Sequence, residues 1–242
     1  MDLISGEIIG IDKPLHWTSF DAVKRLRGAI QRRLGLKKFK VGHAGTLDPL
    51  ATGVLIVCTG RATRQIEELQ NGSKEYVAEL RLGATTPSFD LETEVDATYP
   101  WEHIDREMVE SVLPSFRGKV MQVPPVFSAV KVDGKRAYKF ARKGEEVELK
   151  AKPLEISELE LMSLDADRLV LRIVCSKGTY IRALARDIGV ALGSGAHLTG
   201  LRRTRVGGIR VEECLSIEDA LHKIETDPLE WPDQEESKNS DR

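Results

Sequence analysis

No run of about 18 apolar residues occurs anywhere in the 242-residue chain, so no segment is able to cross a membrane as a helix. The start, residues 1–13, lacks a basic stretch followed by an apolar one, and the expectation is a chain without a secretory leader, working in the cytoplasm. Cysteine is scarce. Cys58, Cys175 and Cys214 are scattered, odd in number and each set beside apolar residues, which excludes a disulfide framework and a cysteine zinc site. They read as small buried hydrophobes. His16, His103, His197 and His222 show no metal-ligand spacing, so no metal is expected. Internal repeats and low-complexity segments are also missing.

Acids are distributed unevenly. Residues 22–47 contain eight bases and no acid, and residues 115–143 contain eight bases and one acid. The formal net charge of −2 conceals this, because residues 225–242 alone carry seven acids against two bases. That acidic end has little to bury and reads as a solvated tail. Residues 1–224 are mildly basic, which permits nucleic acid as a partner without demanding it. A charge run is most often only a solvated face.

Residues 6–11 read as a strand. Thr18 or Ser19 then caps a helix, with Asp21 in its first turn and Phe20, Val23, Leu26, Ile30 and Leu34 as its buried stripe. Residues 42–53 form a loop rich in glycine and small residues, and residues 54–59 an apolar strand. Residues 62–69 read as a short helix, and residues 74–83 alternate as a half-buried strand with Tyr76, Ala78, Leu80 and Leu82 on one face. Residues 87–100 form an acidic loop and residues 105–114 a helix. Residues 115–143, with Pro124-Pro125, Phe116, Phe127, Tyr138 and Phe140, resemble a basic insertion more than core. A strand over 169–176 and a helix with Ile181, Leu184, Ala185, Ile188 and Leu192 inward follow, with Gly193 as a stop. Strands and helices mix without regular βαβ alternation, so the fold class is α+β.

The segment Gly42-His43-Ala44-Gly45-Thr46-Leu47-Asp48-Pro49-Leu50-Ala51-Thr52-Gly53 is the densest signal. Asp48 precedes a proline and is held extended. On general grounds it is either a turn-forming residue or a carboxylate presented for chemistry. This segment resembles the catalytic motif of the TruB family of pseudouridine synthases. The similarity continues through Lys13-Pro14 with Trp17-Thr18-Ser19, Lys74-Glu75-Tyr76, Gln122 to Lys131, Ser176 to Asp187 and Leu201 to Gly207, in order and over about residues 6–220.

The resemblance implies a central mixed, mainly antiparallel sheet flanked by helices. It implies a catalytic body over 1–224, an RNA-gripping insertion at about 115–150, and no further PUA-type domain ahead of the acidic tail. The implied reaction needs no cofactor: uridine at tRNA position 55, in the T loop, is flipped out, its glycosidic bond is cleaved, and the uracil turns and rejoins through C5. Asp48 is the implied catalytic carboxylate. Attack on the ribose, attack on the base and removal of a ribose proton all stay open. Arg182 is the implied cation that keeps the carboxylate ionised. Tyr76 stacks on the base and assists proton removal. Tyr180 and Leu201 line the pocket, His43 and Arg202 hold the RNA, and Lys13 with Pro14 supports the pocket floor. Phe127 stands where many members carry tyrosine. Two other classes of function remain: a tRNA-folding helper that uses the basic surfaces without catalysis, and a hydrolase that breaks the same bond and lets water finish. The expected molecule is a monomer with tRNA as partner and no obligate protein partner.

Overall fold

The computed structural model describes every residue except 1, 4, 129, 133, 138, 139, 141–144, 146 and 230–242. Tyr138 and most of the acidic tail therefore lie outside the described residues. The chain divides into two compact units, residues 1–72 with 205–242, and residues 73–204.

The first unit starts with β1 (Ile8–Lys13), which pairs antiparallel with β3 (Ala51–Thr59), and β3 in turn pairs with β2 (Val41–Ala44). Between β1 and β2 runs α1 (Ser19–Leu34). Thr18 is its N-cap, in a reciprocal box with Asp21, and Gly35 in the left-handed region (φ 66°) closes it. Val23, Leu26 and Ile30 pack with Ile9, Ile11, Leu55 and Val57 into one core. Each such side chain contributes about 1.5–3 kcal/mol on burial. The same core takes Ile217, Ala220 and Ile224. Phe20 departs from the expected stripe: it is 59% exposed. At about 100° per residue it lies about 60° from Val23, about 80° from Ile30 and about 120° from Leu26, outside the buried stripe. Residues 60–65 form a 3-10 turn that passes into α2 (Ile66–Asn71), where a single helix was expected.

The second unit is a sheet ordered β12 (Ala196–Val206), β4 (Lys74–Leu82), β11 (Arg168–Cys175), β10 (Lys152–Asp165) and β7 (Gly118–Gln122). The β4–β11, β11–β10 and β10–β7 ladders are antiparallel. Two-residue pairs, β5 (Ala84–Thr85) with β6 (Ala97–Thr98) and β8 (Lys131–Val132) with β9 (Lys135–Arg136), form short hairpins. α3 (Arg106–Val112) is capped by Asp105, and α4 (Ile181–Ala191) ends before Gly193. At its far end β12 passes into the first unit and turns back as β13 (Ile209–Arg210), followed by α5 (Ile217–Thr226). The result is the expected α+β fold with largely antiparallel pairing.

The outer face of the second sheet is held by cross-strand ion pairs. Arg172 on β11 reaches Glu75 on β4 at 2.7 Å and Glu158 and Glu160 on β10 at 2.6 and 3.2 Å. Arg168 pairs with Glu79, and Arg81 with Asp167 at 2.9 Å. These opposite-charge pairs fix the register that turns Tyr76 to the inner face. Cys58 and Cys175 are buried as expected, whereas Cys214 is only half-buried.

Candidate active site

The loop before β3 is built around Asp48. Its carbonyl accepts from the Ala51 amide at 3.0 Å, closing a turn with Pro49 in the position that proline's fixed φ favours. Both neighbours of Asp48 are clamped. The Ser19 hydroxyl donates to the Leu47 carbonyl at 3.0 Å and accepts from the Leu47 amide at 2.8 Å. The His16 amide donates to the Pro49 carbonyl at 2.8 Å. Gly45 (φ 93°) and Gly53 (φ 101°) supply the backbone conformations that bracket the loop and that a side chain resists. Asp48 itself is half-buried.

Lys13 is fully buried, and its ammonium donates to the carbonyls of Pro14 at 2.9 Å and Trp17 at 2.6 Å. It thus braces from inside the turn that carries His16 and Ser19. His43 lies on β2 opposite Val57 and is half-buried. A cavity of about 520 Å³ in this unit is lined by Lys38, Lys40, Arg61 and Arg64 together with Phe39. Lys38 and Lys40 belong to the basic run seen in the sequence. Arg61 and Arg64 were not singled out there, because they stand alone among neutral neighbours.

In the second unit Tyr76 sits on β4 opposite Ile173 and is 8% exposed. Arg182 opens α4 and is 5% exposed. Its guanidinium faces Asp90, equally buried, at 3.5 Å, and donates to the carbonyls of Ser88 at 3.2 Å and Phe127 at 3.0 Å. A buried guanidinium needs such partners, since desolvation of an isolated charge is costly. Asp90 is the residue that the sequence reading missed. It appeared only as one acid of a polar loop, and nothing local signals that Phe89 (φ 64°) turns the chain there. Tyr180, half-buried, is fixed by Gln122, which donates to its carbonyl at 3.1 Å and accepts from its amide at 2.9 Å. Arg186 lies over the Phe89 ring at 4.7 Å.

Leu201 and Arg202 on β12 are half-buried, while Arg203 beside them is 1% exposed. Burial and the Arg203 cation pull the Lys74 ammonium down to about 8. His43, Lys13 and Asp48 thus belong to one unit, and Tyr76, Tyr180, Arg182, Leu201 and Arg202 to the other. Among the described residues no group of three or more His, Cys, Asp or Glu is arranged to hold a metal, and no helix is long and apolar enough to cross a membrane.

Two family models cover most of the chain. Residues 31–181 match the TruB family pseudouridylate synthase N-terminal domain, and residues 182–235 match the tRNA pseudouridylate synthase B C-terminal domain. A protein of Phocaeicola vulgatus named tRNA pseudouridine synthase B is 64% identical over 236 residues, covering 98% of this chain and 97% of its own. A protein of the same name from Bacteroides thetaiotaomicron is 60% identical over 245 residues, covering 100% of this chain and 99% of its own. Among solved structures, a chain in the crystal structure of a Cbf5-Nop10-Gar1 complex superposes with a TM-score of 0.69 at 30% identity. That match covers 92% of this chain but only 55% of the other, so this chain spans about half the length of that neighbour. The chain belongs to the TruB family of pseudouridylate synthases.

Proposed function

We propose that this protein isomerises uridine at position 55, in the T loop of tRNA, to pseudouridine, with Asp48 as the catalytic carboxylate. The observation that carries the reading is the clamped turn. Leu47 and Pro49 are each tied to the segment Pro14–Ser19, so the carboxylate between them is presented at a fixed place and pays little ordering entropy when substrate arrives. The full-length relatives named tRNA pseudouridine synthase B support tRNA as the substrate.

In this reading the target nucleotide is flipped out of its stack, at a cost of a few kcal/mol offset by stacking and phosphate contacts. Tyr76 packs one ring face on the sheet and offers the other to uracil. Arg182, held by Asp90, supplies the guanidinium that stabilises negative charge as the glycosidic bond breaks. Tyr180 and Leu201 wall the base, and His43 and Arg202 contact the RNA. Residues 1–224 form the catalytic body, and the basic segment 115–150 grips the RNA. The cavity lined by Lys38, Lys40, Arg61 and Arg64 suits a phosphate-rich partner, and affinity falls steeply with salt, because releasing counterions gains less entropy as the bulk salt rises.

The test uses unmodified tRNA transcripts, with pseudouridine mapped by carbodiimide adduct formation and primer extension. A single new stop in the T loop is expected. A stop elsewhere, or an abasic site with free uracil, rejects the proposal.

A further inference from the structure

The segment that clamps the Asp48 turn also exposes apolar side chains beside it. Leu15 is 47% exposed and Phe20 is 59% exposed. Both flank the atoms that hold the loop: Leu15 precedes His16, whose amide binds Pro49, and Phe20 follows Ser19, whose hydroxyl binds Leu47. The turn between them is braced twice. The buried Lys13 ammonium binds the carbonyls of Pro14 and Trp17, and His16 is held at φ 66°, a conformation that a non-glycine residue keeps only when its surroundings impose it.

The surroundings define the occupant. Lys24 is exposed one turn beyond Phe20, and residues 22–47 carry eight bases and no acid. The neighbouring acid, Asp21, keeps its charge but is turned into the cap of α1, where its carboxylate accepts from the Thr18 amide at 3.0 Å and hydroxyl at 2.6 Å, and the exposed Lys24 and Arg25 outnumber it. Apolar surface with an aromatic ring, bordered by cations, matches an unpaired nucleotide: the base stacks on the ring and the phosphates meet the bases of α1.

We infer that Leu15 and Phe20 form a stacking platform for an unpaired nucleotide adjoining the target uridine. The inference rests on the proposed function, and it assigns Phe20 a binding role in that reaction.

The experiment measures pseudouridine formation and filter-retention affinity on a T-arm RNA hairpin, for the full chain and for Phe20→Ala, Phe20→Tyr and Met162→Ala. Met162 is 52% exposed on β10 and serves as a control for exposed apolar surface in general. Stacking on a protein ring is worth about fivefold to 150-fold in affinity per base. Phe20→Ala therefore raises KM and Kd within that range, with the loss confined to those constants rather than to kcat. Phe20→Tyr, which keeps the ring, stays near wild type, as does Met162→Ala. All three keep the wild-type melting temperature, because the substituted side chains are exposed. An unchanged Kd in Phe20→Ala, or a Phe20→Tyr variant as weak as Phe20→Ala, overturns the platform. If the native chain binds the hairpin but forms no pseudouridine, the proposed function falls, while the Kd series still decides whether the ring stacks.

Discussion

Removing the Asp90 carboxylate tests how the second unit holds Arg182. Both residues are 5% exposed, and the Arg182 Nε lies 3.5 Å from Asp90 Oδ2. Taking one partner from a buried ion pair costs about 3–5 kcal/mol, because the other charge stays desolvated. Two features place this pair at the lower end. The separation exceeds the roughly 2.7–2.9 Å of a strong charge-assisted bond. The guanidinium also keeps the carbonyls of Ser88 and Phe127. Asp90 Oδ1 accepts from the Glu92 amide at 2.9 Å, but water replaces that contact in a half-exposed loop. Asp90→Ala should therefore lose about 3 kcal/mol in urea unfolding followed by far-UV circular dichroism, with the slope against urea unchanged. Asp90→Asn keeps the shape and the Glu92 contact but not the charge, so it should recover only part of that loss. A loss below about 1 kcal/mol in Asp90→Ala would refute the claim that this pair anchors Arg182.

Two further predictions concern the same unit. Lys74 has its folded pKa lowered from 10.5 to about 8. The unfolded chain then binds the proton more tightly, so stability rises as pH passes upward through that interval, by about 1 kcal/mol between pH 8 and 9. Cys175 and Cys58, each raised by burial from 9.0 to about 11, act in the opposite sense, by about a third of a kcal/mol each over the same window, so the Lys74 contribution is read as a difference between variants. Lys74→Met should therefore make the stability change between pH 8 and 9 about 1 kcal/mol less favourable than in the native chain, and an identical pH profile for the two would contradict the reasoning. Gly189→Ala would normally stabilise a helix by about 0.5–1 kcal/mol, but a Cβ here would lie 2.4 Å from the Ala196 amide nitrogen. Backbone cannot yield cheaply, so a net loss of about 1–3 kcal/mol is expected by thermal denaturation, and any gain would refute it.

Much of the fold was legible because local signals agreed. The alternation at residues 74–83 gave β4 with Tyr76 inward, and the stripe from Ile181 to Leu192 gave α4. The first helix was placed correctly, but Phe20 was assigned to its buried face. Successive steps of three residues drift round the helix, so the run from Phe20 through Val23 to Leu26 starts outside the stripe that Leu26 and Ile30 define. The Asp48 loop stood out through its glycines and its Asp-Pro pair. The clamps on Leu47 and Pro49 could not be read, because they join residues 28 and 33 positions apart and have no local periodicity. Asp90 escaped for the same reason, as did the tie of Gln122, the first residue of a family motif, to Tyr180: each acts through a partner far along the chain.

The central claim, that Asp48 starts the reaction, is tested most directly with a tRNA transcript carrying tritium at uridine C5. The native chain should release tritium to water in step with pseudouridine formation, since C5 loses its hydrogen when the new bond forms. Asp48→Asn, nearly isosteric and still able to close the turn through its carbonyl to Ala51, should bind the same transcript and release none. Release by Asp48→Asn at the native rate would contradict the account.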